Sequence, residues 1–244
     1  MLEEHFRKTM KIKKLHGEEL HGKKGIYIRS SIFGWQDGLV SAMALLAALT
    51  GAATGTSVII LATLAEIVAG AISMGLGTYI GTKSEREVFA AEVEQEKREI
   101  EEEPEKEAAE VRDFYAKKGF TKKEIEMIVK RLQKSKAAML DVMIKEELGG
   151  DGGSKEDPKI SSIYMFVFYA IGGLIPLLSY FFLAPSAALY YSIALTAVAL
   201  FGIGAAKSYL TGINPIKSGV EILVIGMIAT FAAYQVGIIL GGYF

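Results

Sequence analysis

The chain has 244 residues, 51% of them hydrophobic and 23% charged, with 27 Lys and Arg against 28 Asp and Glu and a mean hydropathy of +0.31. A net charge near zero gives no global pull toward nucleic acid, and the absence of cysteine excludes a disulfide framework, thiolate metal sites, iron–sulfur clusters and cysteine catalysis. All three histidines, His5, His16 and His21, lie in the first 21 residues, so chemistry elsewhere must use carboxylates, thioethers, hydroxyls and backbone.

Residues 1–30 are charged throughout and lack the short apolar core of a signal peptide; they read as a basic amphipathic segment at a membrane surface, with the role of the three His left open. Five stretches then approach the roughly 20 apolar residues that a bilayer crossing needs: 32–50, 57–81, 160–183, 187–206 and 219–241. Lys and Arg number 8 in residues 1–30, none in 51–56, 17 in 82–159, none in 184–186 and 2 in 207–218. With a cytoplasmic N-terminus, five spans therefore place every basic residue on the cytoplasmic side and the C-terminus outside or in a lumen, as the positive-inside rule prefers. The short N-terminus without a targeting signal leans toward a prokaryotic plasma membrane over a vacuolar one.

Two acids remain at bilayer depth, where an ionised carboxylate costs about 2.5–3.5 kcal/mol on insertion scales. Asp37 lies near the cytoplasmic end of span one, beside Trp35, and also reads as an interfacial acid next to a belt residue. Glu66 lies about ten residues into span two, where a purely structural interhelical hydrogen bond is the alternative. Glu221, just past Lys217, reads as interfacial. In span two Glu66, Gly70, Met74 and Thr78 recur every four residues, so a carboxylate and a thioether share one wall with Gly70 leaving room between them. Ala65, Ala69, Ser73, Gly77 and Gly81 form an adjacent small-residue seam that permits close helix contact.

Residues 82–159 are too long for a loop and carry no spanning run, which predicts a folded helical domain. From Glu85 to Asp113 there are 13 acids against 5 bases. Span two continues without a break to about Glu103, Pro104 suits the first turn of a new helix, and Gly119 its C-terminal stop. Thr121 and Glu124 form a capping box for the next helix, Ser135 caps a last one ending near Gly149, and residues 149–158 make a flexible return to the membrane. Glu92, Glu96, Glu99 and Glu103 stack on one helix face, Glu107 and Glu110 repeat the spacing on the next, and Met139, Met143 and Glu147 share a face of the last. A solvated acidic face beside a Met-containing core stripe is one reading. The other is a cation site: a bound cation relieves repulsion between stacked carboxylates, and carboxylates with thioethers suit a transition metal of intermediate softness.

The expected fold is thus all-α and polytopic, with a surface segment (1–30), spans one and two (31–81), a helical domain (82–150), a linker (151–159) and spans three to five (160–244).

Asp37-Gly-Leu, the run from Glu66 to Gly77 with Lys83-Ser-Glu after it, the Glu-rich insertion, Ile175-Pro-Leu-Leu178 and the Thr211–Gly219 turn together resemble the vacuolar iron transporter family over nearly the whole chain from about residue 30. The resemblance implies a five-span homodimer with a cytoplasmic metal-binding domain that exchanges Fe²⁺, often Mn²⁺ too, for protons. It implies that Asp37, Glu66 and Met74 line the transport path and that Glu96, Glu99, Glu107, Glu110, Met143 and Glu147 bind metal. The chain departs from the family's paired methionines by having Ile144 after Met143, with Met139 one turn earlier as a substitute. Two rivals are a membrane-anchored metal sensor or buffer without transport, and a di-iron oxidase. The oxidase reading is opposed by the lack of any His in residues 22–244, since such sites use paired Glu-x-x-His motifs.

Overall fold

In the computed structural model residues 27–149 and 156–241 are described, and every regular element among them is helical. In chain order they are α1 (Ile28–Gly51), α2 (Thr56–Glu102), α3 (Pro104–Lys117), α4 (Lys122–Leu132), α5 (Lys136–Glu146), α6 (Pro158–Leu177) with a 3₁₀ turn (Leu178–Phe181), α7 (Pro185–Thr211) and α8 (Pro215–Gly241). The N-terminal segment with its three His, most of the linker and the last three residues lie outside the described residues.

Five of these helices are long and apolar enough to cross a membrane, and most outrun the apolar stretch that signalled them. Hydropathy reports the length facing lipid, whereas capping chemistry sets where the helix stops. Asp157 accepts from the backbone N–H of Lys159 and Ile160 at 2.9 and 3.3 Å, so α6 starts at Pro158. Asn214 does the same for Ile216 and Lys217 at 2.9 and 3.3 Å, so α8 starts before its apolar run. At the end of α7, Gly212 takes φ 70°, the left-handed conformation that terminates a helix. Helix α2, at 47 residues, is about 70 Å long, more than twice the ~30 Å of a hydrocarbon core.

The chain divides into two compact units, one reaching Ile80 and resuming at Glu156, the other Gly81–Lys155. In the first, lipid tails are as apolar as leucine and helices associate through close packing rather than hydrophobic exclusion. Helix α1 is the hub: Leu39, Ala42, Met43, Leu46 and Ala47 are all buried, against residues of α2, α6, α7 and α8. Its approach to α6 needs glycine. A Cβ on Gly38 would collide with the carbonyl oxygen of Tyr169, and one on Gly172 with that of Trp35. The Trp35 ring packs 5.6 Å from that of Phe168 and its indole nitrogen is buried. Pro176 lies in the last turn of α6, and its carbonyl accepts a hydrogen bond from Ser192, whose Oγ lies 2.5 Å from Ser179 Oγ.

The membrane part of α2 buries only one stripe, Ile59, Thr63, Ile67, Ala71 and Gly75, spaced four apart. The stripe Glu66, Gly70, Met74 and Thr78 beside it is half-buried, and the seam Ala65, Ala69, Ser73, Gly77 and Gly81 is exposed. A Cβ on Gly77 or Gly81 would meet nothing within 4 Å. Among the described residues the small-residue seam therefore packs against nothing.

The second unit packs α3, α4 and α5 with the end of α2 around Ile100, Ala108, Val111, Ile125, Val129, Met139 and Met143. Its helix ends follow the local chemistry. Thr121 N–H and Oγ1 both donate to Glu124, at 2.8 and 2.7 Å; Ser135 Oγ accepts from Ala138 N–H at 3.3 Å; and Gly119 and Gly149 take positive φ. Arg112 spans α3 to α4 with two hydrogen bonds to Glu126, at 2.7 and 3.4 Å.

Candidate metal sites

The first site is built on the half-buried stripe of α2. Glu66 reaches toward α6, where the Tyr169 hydroxyl donates to Glu66 Oε1 at 2.5 Å. The other carboxylate oxygen, Oε2, is buried with no partner. Asp37, half-buried on α1, lies near enough to act electrostatically on both Glu66 and Tyr169. Asp37, Glu66 and Tyr169 thus form one group, and Met74 lies two turns along α2 on the same half-buried stripe. Gly70 leaves no open gap beside Glu66. The Tyr169 ring fills that space, and a Cβ on Gly70 would come within 2.5 Å of Tyr169 Cζ.

This arrangement divides the labour of one carboxylate. One oxygen is held by an interhelical hydrogen bond, which fixes the side chain. The second is desolvated and free, a state that costs several kcal/mol for an ionised group and that a cation or proton relieves. Glu221 is exposed near the start of α8 and takes no part in this group.

The second site lies in the helical unit. Glu96 on α2 is 4% exposed and Glu107 on α3 is 1% exposed. With Glu99 they offer carboxylate oxygens within 4.8 Å of one another, an arrangement able to hold a metal ion. Both oxygens of Glu107 and one of Glu96 have no hydrogen-bond partner. Burial, and then repulsion from Glu147, Glu107, Glu99 and Glu110, pushes Glu96 up to about 7. Glu107 rises to about 7 through burial, then Glu110 and Glu99, with Lys106 pulling the other way. Glu147 is raised by burial and by Glu110 and Glu99, an effect that a hydrogen bond with Glu96 and the charge of Lys106 oppose. The structure therefore brings Glu96, Glu99, Glu107, Glu110 and Glu147 into one electrostatic cluster.

The remaining candidates lie elsewhere. Glu92 is exposed a turn before Glu96. Glu103 is the residue before α3 and sits 3.6 Å from Lys106. Met139 and Met143 are 3% and 0% exposed, and both belong to the apolar core that holds Ile100, Val111 and Val129.

Sequence reasoning missed Tyr169 and Lys106. A tyrosine deep in an apolar span needs a partner for its hydroxyl, which was a signal; its partner lies 103 residues away, which no local pattern reveals.

A family model, the VIT family, matches residues 28–238. The "Vacuolar iron transporter 1" of Arabidopsis thaliana is 42% identical over 224 residues, covering 90% of this chain and 88% of that protein. That of Eucalyptus grandis is 41% identical over 221 residues, covering 89% and 88%. "Protein CCC1" of Saccharomyces cerevisiae is 34% identical over 216 residues, covering 85% and 67%. These relatives are eukaryotic, and the plant proteins are vacuolar by name, which weighs against a prokaryotic plasma membrane. A match spanning all five membrane helices and both acid groups leaves one conclusion: the chain belongs to the VIT family.

Proposed function

We propose that this chain is a transporter, not an enzyme, that exports Fe²⁺, and Mn²⁺ as well, from the cytoplasm in exchange for protons. The observation that carries the reading is Glu66: a carboxylate at membrane depth with one oxygen anchored by Tyr169 and the other buried and free. The iron transport named for its relatives agrees with it.

In this reading the helical unit is cytoplasmic and gathers metal on Glu96, Glu99 and Glu107, with Glu110, Glu147 and the Met143 thioether completing the shell. Asp37, Glu66 and Met74 form the transport path at the interface of a homodimer. The exposed small-residue seam of α2 supports that interface, since it has no partner among the described residues. The basic residues gathered in alternate segments support a cytoplasmic N-terminus and a C-terminus outside or in a lumen. Metal binds the ionised carboxylates and is expelled when protons arrive from the far side, because a protonated carboxyl is a poor ligand. The test is Fe²⁺ uptake into proteoliposomes under a pH gradient. Asp37→Ala and Glu66→Ala abolish uptake; unchanged uptake in both sinks the mechanism.

A second reading, a membrane-anchored metal buffer, is favoured by the unpartnered buried oxygens of Glu107. It predicts stoichiometric binding with no flux in the same vesicles.

A further inference from the structure

The acid cluster has a cation of its own. Lys106 Nζ lies 4.0 Å from Glu110 Oε1, within the cluster, and 3.6 Å from Glu103 Oε2, outside it. Its charge acts on Glu107 and Glu147. Other bases nearby are engaged with acids outside the cluster: Lys97 with Glu94 at 3.0 Å, Arg112 with Glu126 at 2.7 Å and Lys117 with Asp113 at 2.6 Å. We infer that Lys106 is a tethered counter-ion that exchanges between Glu110 and Glu103 and so sets how tightly the cluster holds a divalent metal. This rests on the reading of the cluster as a metal site, which the two unpartnered, buried oxygens of Glu107 support independently of the number of acids present.

The spacing makes the exchange cheap. Lys106 Nζ already lies within 4.0 Å of both Glu103, just before α3, and Glu110, one turn further along it, so a rotation of its flexible stem shifts the ammonium from one to the other without backbone change. The side chain is half-exposed, at 54%, and is not locked by packing. With no metal bound, the ammonium offsets part of the repulsion among the acids. A divalent ion at Glu110 carries twice the charge and repels it, and Glu103 receives it. The cluster is therefore spared the full cost of standing empty, and metal leaves faster than five unopposed carboxylates would allow. That suits a site whose cargo must move on.

The test is Mn²⁺ binding, read as free Mn²⁺ by electron paramagnetic resonance, to the full detergent-solubilised chain carrying Glu66→Ala so that the membrane site is silent. Lys106→Gln tightens binding by about three- to fivefold, the scale of an exposed ion pair, and Lys106→Arg leaves it unchanged. Glu103→Gln, which removes the second resting place, weakens binding by about twofold. In Lys106→Gln, adding Glu103→Gln has no further effect, because Glu103 acts through the lysine. Ordinary long-range electrostatics makes the two shifts additive instead, and additive shifts, or no tightening in Lys106→Gln, overturn the proposal alone. Binding that survives Glu107→Gln, or is absent before any cluster substitution, overturns the cluster reading and this proposal with it.

Discussion

The two acid groups solve the problem of a carboxylate away from water in opposite ways. In the membrane unit the acids are few and half-buried, and Glu66 receives a hydroxyl donor from Tyr169. In the helical unit they are crowded, two are nearly fully buried, and Glu107 has no donor at all. A hydrogen bond stabilises a fixed carboxylate and keeps one oxygen occupied, which suits a site that must bind weakly and release. Crowded, unpartnered carboxylates are unstable alone and stabilised by a cation, which suits capture.

The largest expected effect tests that division directly. Glu66→Ala abolishes Fe²⁺ flux in proteoliposomes while leaving metal bound by the helical unit intact, as measured by equilibrium dialysis. Glu96→Gln with Glu107→Gln does the converse, lowering bound metal by an order of magnitude or more, as losing two of the five carboxylates of the proposed site implies. If either variant loses both properties while still folded, the two groups are not separate in function.

The pH response of the metal-free chain is the next largest. Glu96 and Glu107 rise from an ordinary 4.5 to about 7, so the folded state holds their protons more tightly than the unfolded chain. Their contribution is fully present below about 4.5, and stability falls as pH rises toward about 7, by at most about 1.4 kcal/mol per pH unit for each carboxyl. Metal reverses the trend, because it replaces the lost protons. Thermal unfolding of the helical unit between pH 5 and pH 8 should therefore show a falling midpoint without Mn²⁺ and a flat one with it. A midpoint that rises with pH in the metal-free protein is incompatible with the buried pair.

How much of this contrast could be read from the chain differs between the two regions. Helix boundaries inside the insertion were legible because their causes are local: Thr121 with Glu124, Ser135 and Gly119 act within a few residues of themselves. The stack of Glu92, Glu96, Glu99 and Glu103 was legible only as a face. Which members turn inward depends on where α3 crosses, and α3 meets that face at Glu96 and Glu99, leaving Glu92 a turn short and Glu103 at the break between helices. In the membrane, the acids were conspicuous by cost alone, whereas the partner that holds Glu66 was not. Glycine at position 70 reads in the sequence as a gap in the wall, and the Tyr169 ring from α6 fills it.

That packing predicts a moderate effect at each partner. Tyr169→Phe keeps the ring and removes the donor, leaving Glu66 with both oxygens unsatisfied and lowering Fe²⁺ flux by roughly tenfold, from a hydrogen bond to a charged group worth about 1.5–3 kcal/mol. Gly70→Ala displaces the ring and should reduce flux comparably. Gly75→Ala on the same helix, where the new Cβ meets Phe166 Cβ at 3.2 Å, requires only a small adjustment and should transport normally. Equal loss in both glycine variants would point to general damage to α2 rather than to the Tyr169–Glu66 bond.

The smallest effect concerns the two methionines. Both are buried in one apolar core, and leucine has nearly their volume, so Met139→Leu and Met143→Leu each change stability by less than about 1.5 kcal/mol. Their metal chemistry should separate them. Met143 lies one turn before Glu147, on the face that carries the cluster, so as a ligand of the proposed site its sulfur would add softness that favours Fe²⁺ over an oxygen-preferring ion. Met143→Leu therefore lowers the ratio of Fe²⁺ to Mg²⁺ affinity by about threefold, measured by anaerobic competition, while Met139→Leu leaves the ratio unchanged. An unchanged ratio in both would make the methionines core packing alone and leave the site an all-carboxylate one, closer in character to the membrane pair than the burial of its glutamates suggests.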